Sequence, residues 1–158
     1  AAVVLSSCGT AEEGISYTNG DEFTHTMEGV NVLLSRYSVE SLTDVTEEYE
    51  QLGFAVGDLM MSAVLTVQND TAAPIYYSPN FSLLMGNEQL MSANFSTNSV
   101  MIEPGEAAAF NEMYRIPDAL YEAERTATMQ VPAAFKLPNS TSSGDALGDF
   151  GEWTLPMK

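Results

Sequence analysis

An all-β fold, an antiparallel β-sandwich of seven or eight strands with at most one short helix, is what this 158-residue sequence predicts. Three observations point there. Apolar and polar residues alternate along several runs, most clearly Leu59, Met61, Ala63, Leu65 and Val67 against Ser62, Thr66 and Gln68, which is the period of a half-buried strand. Turn residues interrupt these runs at intervals of roughly 8 to 15 residues, the spacing of a sandwich or barrel. Apolar types make up 45% of the chain and charged types 17%, enough for one domain with a real core.

In chain order, Ala1 to Leu5 form an apolar run far below the roughly 20 residues that span a bilayer. The order Leu5, Ser6, Ser7, Cys8 resembles the lipobox of bacterial lipoproteins, where an apolar residue and two small ones precede the lipid-bearing cysteine. Residues 1–8 are therefore read as the remnant of a lipoprotein signal and Cys8 as the lipidation site. The plain alternative is a small buried cysteine. Residues 9–26 hold small, polar and acidic types without helix or strand period, which reads as an acidic flexible tether spanning roughly 25 Å.

The folded domain is read as residues 27–158. Val30, Val32 and Leu34 share one parity and Tyr37 and Val39 the other, so the first long strand carries a bulge. Leu42, Val45, Tyr49 and Leu52 recur at helix spacing behind Ser41, with Asp44 placed for a capping box and Gly53 as the stop. After the alternating run of residues 58–68, Asn69 to Pro74 form a turn, because Asn and Asp side chains bond nearby backbone and Pro74 cannot continue a central strand. Two short strands follow, then a hairpin turning at Gly86-Asn87. Glu103-Pro104-Gly105-Glu106 has the residue order of a type II turn. It leads into a strand with Ala108, Phe110, Tyr114 and Ile116 inward, interrupted on that face by Glu112. Thr126 to Val131 alternates again, a Ser- and Gly-rich loop runs from Pro138 to Gly148, and Trp153, Leu155 and Met157 close the chain as a last strand. The core is expected around Leu59, Met61, Leu65, Val67, Leu83, Phe110, Tyr114, Met129, Trp153 and Leu155.

Five basic residues face 22 acidic ones, a net charge of -17 that repels phosphate backbones, so no nucleic-acid partner is expected. One cysteine excludes a disulfide framework and a cysteine-cluster zinc site. The one histidine, His25, lies in the predicted tether, and no Gly-x-Ser-x-Gly elbow, phosphate loop or His-Glu-x-x-His is present. No enzyme activity is expected. No cofactor is expected either, although Asp145, Asp149 and Glu152, beside three glycines, are candidate oxygen ligands for Ca²⁺; the alternative is an acidic solvated loop. His25 and Met27 offer imidazole and thioether to Cu(I), against a reading of the methionines as core filler. Tyr76, Tyr77 and Phe81 are the candidate binding patch, since Tyr76 and Tyr77 on one strand must point oppositely and one should be exposed; the alternative is aromatics capping the core.

The run LTVQNDTAAPIYYSP, then FSLLMGNEQL, IEPGEAAAF and YRIP, resembles the domain of unknown function found in many Gram-positive lipoproteins. The residues that carry the resemblance are Leu65, Val67, Asn69, Pro74, Ile75, Leu83, Gly86, Pro104, Gly105, Tyr114 and Pro117, within about residues 58–157. It implies an immunoglobulin-like, telokin-like sandwich and no catalytic residues; the long Val39 to Gly57 connection and the acidity depart from its pattern. Together these readings describe a lipoprotein on the extracellular face of a bacterial membrane, anchored through Cys8. Its domain is expected to bind a protein or cell-wall partner. The alternatives are an assembly subunit that donates the Ala1 to Leu5 segment as a strand to a neighbour, and a metal or small-ligand carrier.

Overall fold

The alternating run in the middle of the sequence becomes the middle of the largest sheet. In the computed structural model, which describes residues 15–96 and 98–158, β4 (Leu59–Asn69) lies between β3 (Val30–Ser41) and β9 (Ala107–Ile116), antiparallel to both. β1 (Ser16–Asn19) and β2 (Phe23–Thr26) share the outer edge of β3, β1 against residues 37–40 and β2 against residues 31–34. The register of β3 on β4 shifts between Leu34 and Arg36. This bulge carries the buried face from Val30, Val32 and Leu34 across to Tyr37 and Val39, as the change of parity predicts.

Two four-stranded ladders complete the sandwich. One runs β13 (Gly151–Pro156), β10 (Thr126–Val131), β6 (Leu83–Met85), β7 (Glu88–Leu90); the other runs β12 (Ala146–Leu147), β11 (Ala134–Phe135), β5 (Ile75–Tyr77), β8 (Val100–Ile102). Their inward residues join those of the large sheet in one apolar cluster. Nine of the ten residues expected in the core are buried; Phe110 is half-buried and packs against that cluster.

Tyrosine hydroxyls lace the layers together. Tyr37 donates to the Pro156 carbonyl, Tyr114 to Phe81, Tyr77 to Pro132 and Tyr121 to Met157, at 2.5 to 2.9 Å. A buried hydroxyl without a partner would cost about 1 to 3 kcal/mol, so each bond also fixes where its ring can sit. Asn69 does the same at the end of β4. It is fully buried, donates to the carbonyls of Ala73 and Ile102, and accepts from the Thr71 amide and hydroxyl. The turn after it is thereby bonded to the end of β8. Glu106 N–H donates to the Glu103 carbonyl at 3.0 Å, closing the turn that Pro104 and Gly105 announce.

Several expectations are corrected. Residues 16–26 are not tether: they supply β1 and β2, because Tyr17 and Phe23 each stack on Tyr37 (centroids 6.4 Å apart). The earlier residues of the tether, 9–14, and residues 1–8 with Cys8 lie outside the described residues. The described residues form thirteen strands rather than seven or eight, since many are only two or three residues long and too short to show alternation. The helix α1 (Glu47–Gln51) is shorter than predicted and is capped by Thr46, whose hydroxyl accepts from Tyr49 N–H, rather than by Ser41 and Asp44. Leu52 points outward, 44% exposed, and Phe54 takes the buried position against Tyr49. A second helix, α2 (Asp118–Ala123), follows Pro117 and buries Tyr121. No helix among the described residues is long and apolar enough to cross a membrane.

Candidate functional site

β2 and the residue after its end, Met27, support the most distinctive part of the surface. The segment Gly148-Asp149-Phe150-Gly151 crosses the edge of β2, and both its glycines are required by close approach. A Cβ on Gly148, where φ is +88°, would lie 2.7 Å from Met27 Cβ; one on Gly151 would lie 2.5 Å from His25 Nδ1. His25 Nε2 donates to the Asp149 carbonyl at 2.9 Å, and Trp153 Nε1 donates to the Thr24 carbonyl at 3.0 Å. Held at both ends, the segment forms a ledge from which Phe150 projects, 71% exposed and the most exposed large apolar side chain among the described residues.

Phe150 divides two neighbouring cavities. The first, about 630 Å³, is lined by Phe135, Ala146 and Pro132, with Ser78, Glu28 and Asp149 among its polar groups. The second, about 740 Å³, is lined by Ser82, Gln89, Met91, Gln130 and Glu152. Asn80, Pro132 and Phe150 belong to both, so the two form one groove with an aromatic ridge across it. Its floor is fixed from below: Tyr77 donates to the Pro132 carbonyl, and Ser82 donates to Gln130 Oε1 at 2.6 Å. Among the described residues three carboxylates line the groove and no lysine or arginine does.

Two other carboxylates are buried in the large sheet's neighbourhood and have opposite surroundings. Asp58 receives Arg115 Nε at 2.6 Å and the Ala55 amide at 2.9 Å. Glu112 points inward on β9, 2% exposed, with Oε1 making no hydrogen bond. Desolvation pushes its carboxyl up to about 7, against the opposing effect of a hydrogen bond with Ser92.

The residues singled out in the sequence are distributed differently from expectation. Tyr77 and Phe81 are buried and pack on one another and on Phe110, with centroids 5.8 to 6.4 Å apart, while Tyr76 is half-buried between Phe135 and Met101 on neighbouring strands. These three do not make an exposed patch. They cap one end of the core, because the alternation of β5 turns Tyr77 inward and the Tyr114 hydroxyl holds the Phe81 carbonyl. Asp145 accepts from the Ser140 hydroxyl, Glu152 stands opposite Gln130 on β10, and Asp149 lies on the ledge. Among the described residues no three His, Cys, Asp or Glu side chains gather in a way that could hold a metal ion. Met27 is buried in the core and His25 holds the ledge, which uses both side chains structurally.

Phe150 escaped the sequence reading. Its signal is a single bulky apolar residue set between glycines in a polar loop, a context in which nothing local can bury it.

Comparison with known proteins places the chain in a family without assigning it an activity. Residues 7–158 match the family described as Domain of unknown function (DUF5068), and the chain belongs to it. No curated protein matches the sequence. Among solved structures, a functionally unknown protein of Listeria monocytogenes is similar with a TM-score of 0.67 at 15% identity, over 92% of this chain and 89% of that one. A candidate lipoprotein of Bacillus subtilis gives 0.56 at 12% identity over 86% of this chain, which spans 39% of that protein's length. A conserved hypothetical protein of Bacillus anthracis gives 0.50 at 16% identity, over 85% and 97% of the two chains. At these identities the shared feature is the fold.

Proposed function

We propose that this member of the family is a non-catalytic binding module of the bacterial cell envelope, lipid-anchored through Cys8, with its recognition surface at the Phe150 groove. The observation that carries the reading is the ledge. Two glycines and two hydrogen bonds hold an aromatic side chain in water, where it contributes nothing to the core. Part of the groove is loop, with Ser140, Thr141 and the ledge itself, and loops on a rigid scaffold are the usual place for recognition. The lipobox order before Cys8 supports the envelope address, as does the shared fold of the Bacillus subtilis candidate lipoprotein. The immunoglobulin-like character of the sandwich belongs to this reading and rests on the sequence resemblance. The only imidazole in the sequence is engaged at the ledge, which supports binding over nucleophilic catalysis that uses a histidine base.

Intact-mass analysis of the protein purified from its native membrane tests the address. A diacylglyceryl-modified chain starting at Cys8 supports it; an unlipidated chain retaining residues before Cys8 overturns it. A second reading, an assembly subunit, is favoured by β8, which ends its ladder with Val100 and Met101 exposed and could accept an added strand. Light scattering separates the two: concentration-dependent polymers support assembly and a monomer supports the tethered binder.

A further inference from the structure

We infer that the groove divided by Phe150 takes an extended, basic peptide segment, seating a lysine or arginine side chain on the Phe150 ring. The inference rests on the binding-module reading and adds the chemistry of the ligand. The half of the groove around Phe135 is mostly apolar and the half around Gln130 is evenly mixed, yet Glu28, Asp149 and Glu152 all open onto it with no cation among the described lining residues. An uncharged ligand would leave these carboxylates unmatched. An anionic one would be repelled by them and by a chain of net charge -17.

A basic side chain satisfies both halves of the site. Its aliphatic stem covers the apolar wall while its charged head meets the carboxylates, and a cation over an exposed aromatic face is attracted by the ring. The two cavities lie on either side of Phe150 and share Asn80 and Pro132, so a segment that crosses the ridge can occupy both. The ledge supplies rigidity. Asp149 and Phe150 are presented by a backbone already fixed by Met27 and His25, which lowers the ordering cost of binding.

The test is calorimetric titration of the domain with a short alanine peptide carrying two lysines, and with its twin in which both lysines are acetylated. At about 0.15 M salt the Debye length is about 8 Å, so the diffuse field of the acidic surface is largely screened. Saturable binding of the lysine peptide, weakened at least about tenfold by lysine acetylation and by Phe150→Ala, is the expected result. Phe150→Ala leaves the charge unchanged, so a Phe150→Ala protein that binds the lysine peptide like the parent overturns the inference and assigns the attraction to net charge. A matched pair, Glu28→Gln with Asp149→Asn, should weaken binding of the lysine peptide and leave the acetylated twin unaffected. Chitin oligosaccharides form the second arm. If they bind in a Phe150-dependent way and the lysine peptide does not, the basic-ligand inference fails while the groove stands as a binding site. Should neither probe bind in a Phe150-dependent way, the inference and the proposed recognition surface fail together.

Discussion

The buried end of β5 and the ledge beside β2 treat aromatic side chains in opposite ways. Tyr77 and Phe81 sit under the groove, fully enclosed, with Tyr77 bonded to the Pro132 carbonyl and Phe81 bonded through its own carbonyl to Tyr114. Phe150 sits above the same groove and touches solvent over most of its surface. Both regions are rigid by construction, one through packing and one through glycines that admit a close approach. Burial explains the first as stability. The second has no such explanation, and the proposed contact with another molecule would supply one.

That contrast orders the expected effects of substitution. The largest lies in the shared core: Leu65→Ala should destabilise the domain by about 2 to 5 kcal/mol in urea unfolding, since Leu65 is fully enclosed between β3 and β9. An unchanged midpoint would break the assignment of this sheet as the core.

Glu112 gives the next effect, and its sign follows from its surroundings. Its native value, about 7, lies above the ordinary 4.5, so the folded state holds a proton that the unfolded chain has lost between those values. The contribution to stability is therefore fully present below about pH 4.5 and is lost as pH rises through 7. Glu112→Gln should remove this dependence and stabilise the domain at pH 8 by at most about 3 kcal/mol relative to the parent, with little change at pH 5. Equal responses of parent and variant to pH would show that Glu112 is hydrated in solution.

At the ledge, Gly151→Ala puts a methyl group into the His25 ring and should cost about 1 to 3 kcal/mol, because either the ring, with its bond to the Asp149 carbonyl, or the crossing segment must shift. Thermal unfolding indistinguishable from the parent would mean that the ledge gives way freely. Phe150→Ala, by contrast, should change stability by no more than about 0.5 kcal/mol. A loss comparable to that of Leu65→Ala would place Phe150 in the core and end the contrast.

Much of the scaffold was legible in the residues themselves. The five alternating apolar positions of β4 named its buried face, and the parity change after Leu34 located the bulge of β3. Pro104-Gly105 gave its turn, because each residue type there answers a backbone requirement that is local. β1 and β2 were hidden for the opposite reason. Their sequences, SYTN and FTHT, are polar, and they become strands by pairing with a β3 edge and stacking Tyr17 and Phe23 on Tyr37, a residue distant in sequence. The candidate site was hidden likewise. Alternation showed that one of Tyr76 and Tyr77 turns inward but not that Phe81 is buried with it. The role of Gly151 depends on His25, 126 positions earlier, and no local pattern could announce that contact.

The most direct test of the account is a nuclear magnetic resonance titration of the isotopically labelled domain with the two-lysine peptide at about 0.15 M salt. Saturating shifts confined to residues around the ledge and groove, Asn80, Gln130, Asp149, Phe150 and Gly151 among them, are the expected result, as is their disappearance in Phe150→Ala. Shifts scattered over the acidic surface, or concentrated at the exposed edge of β8, would contradict it.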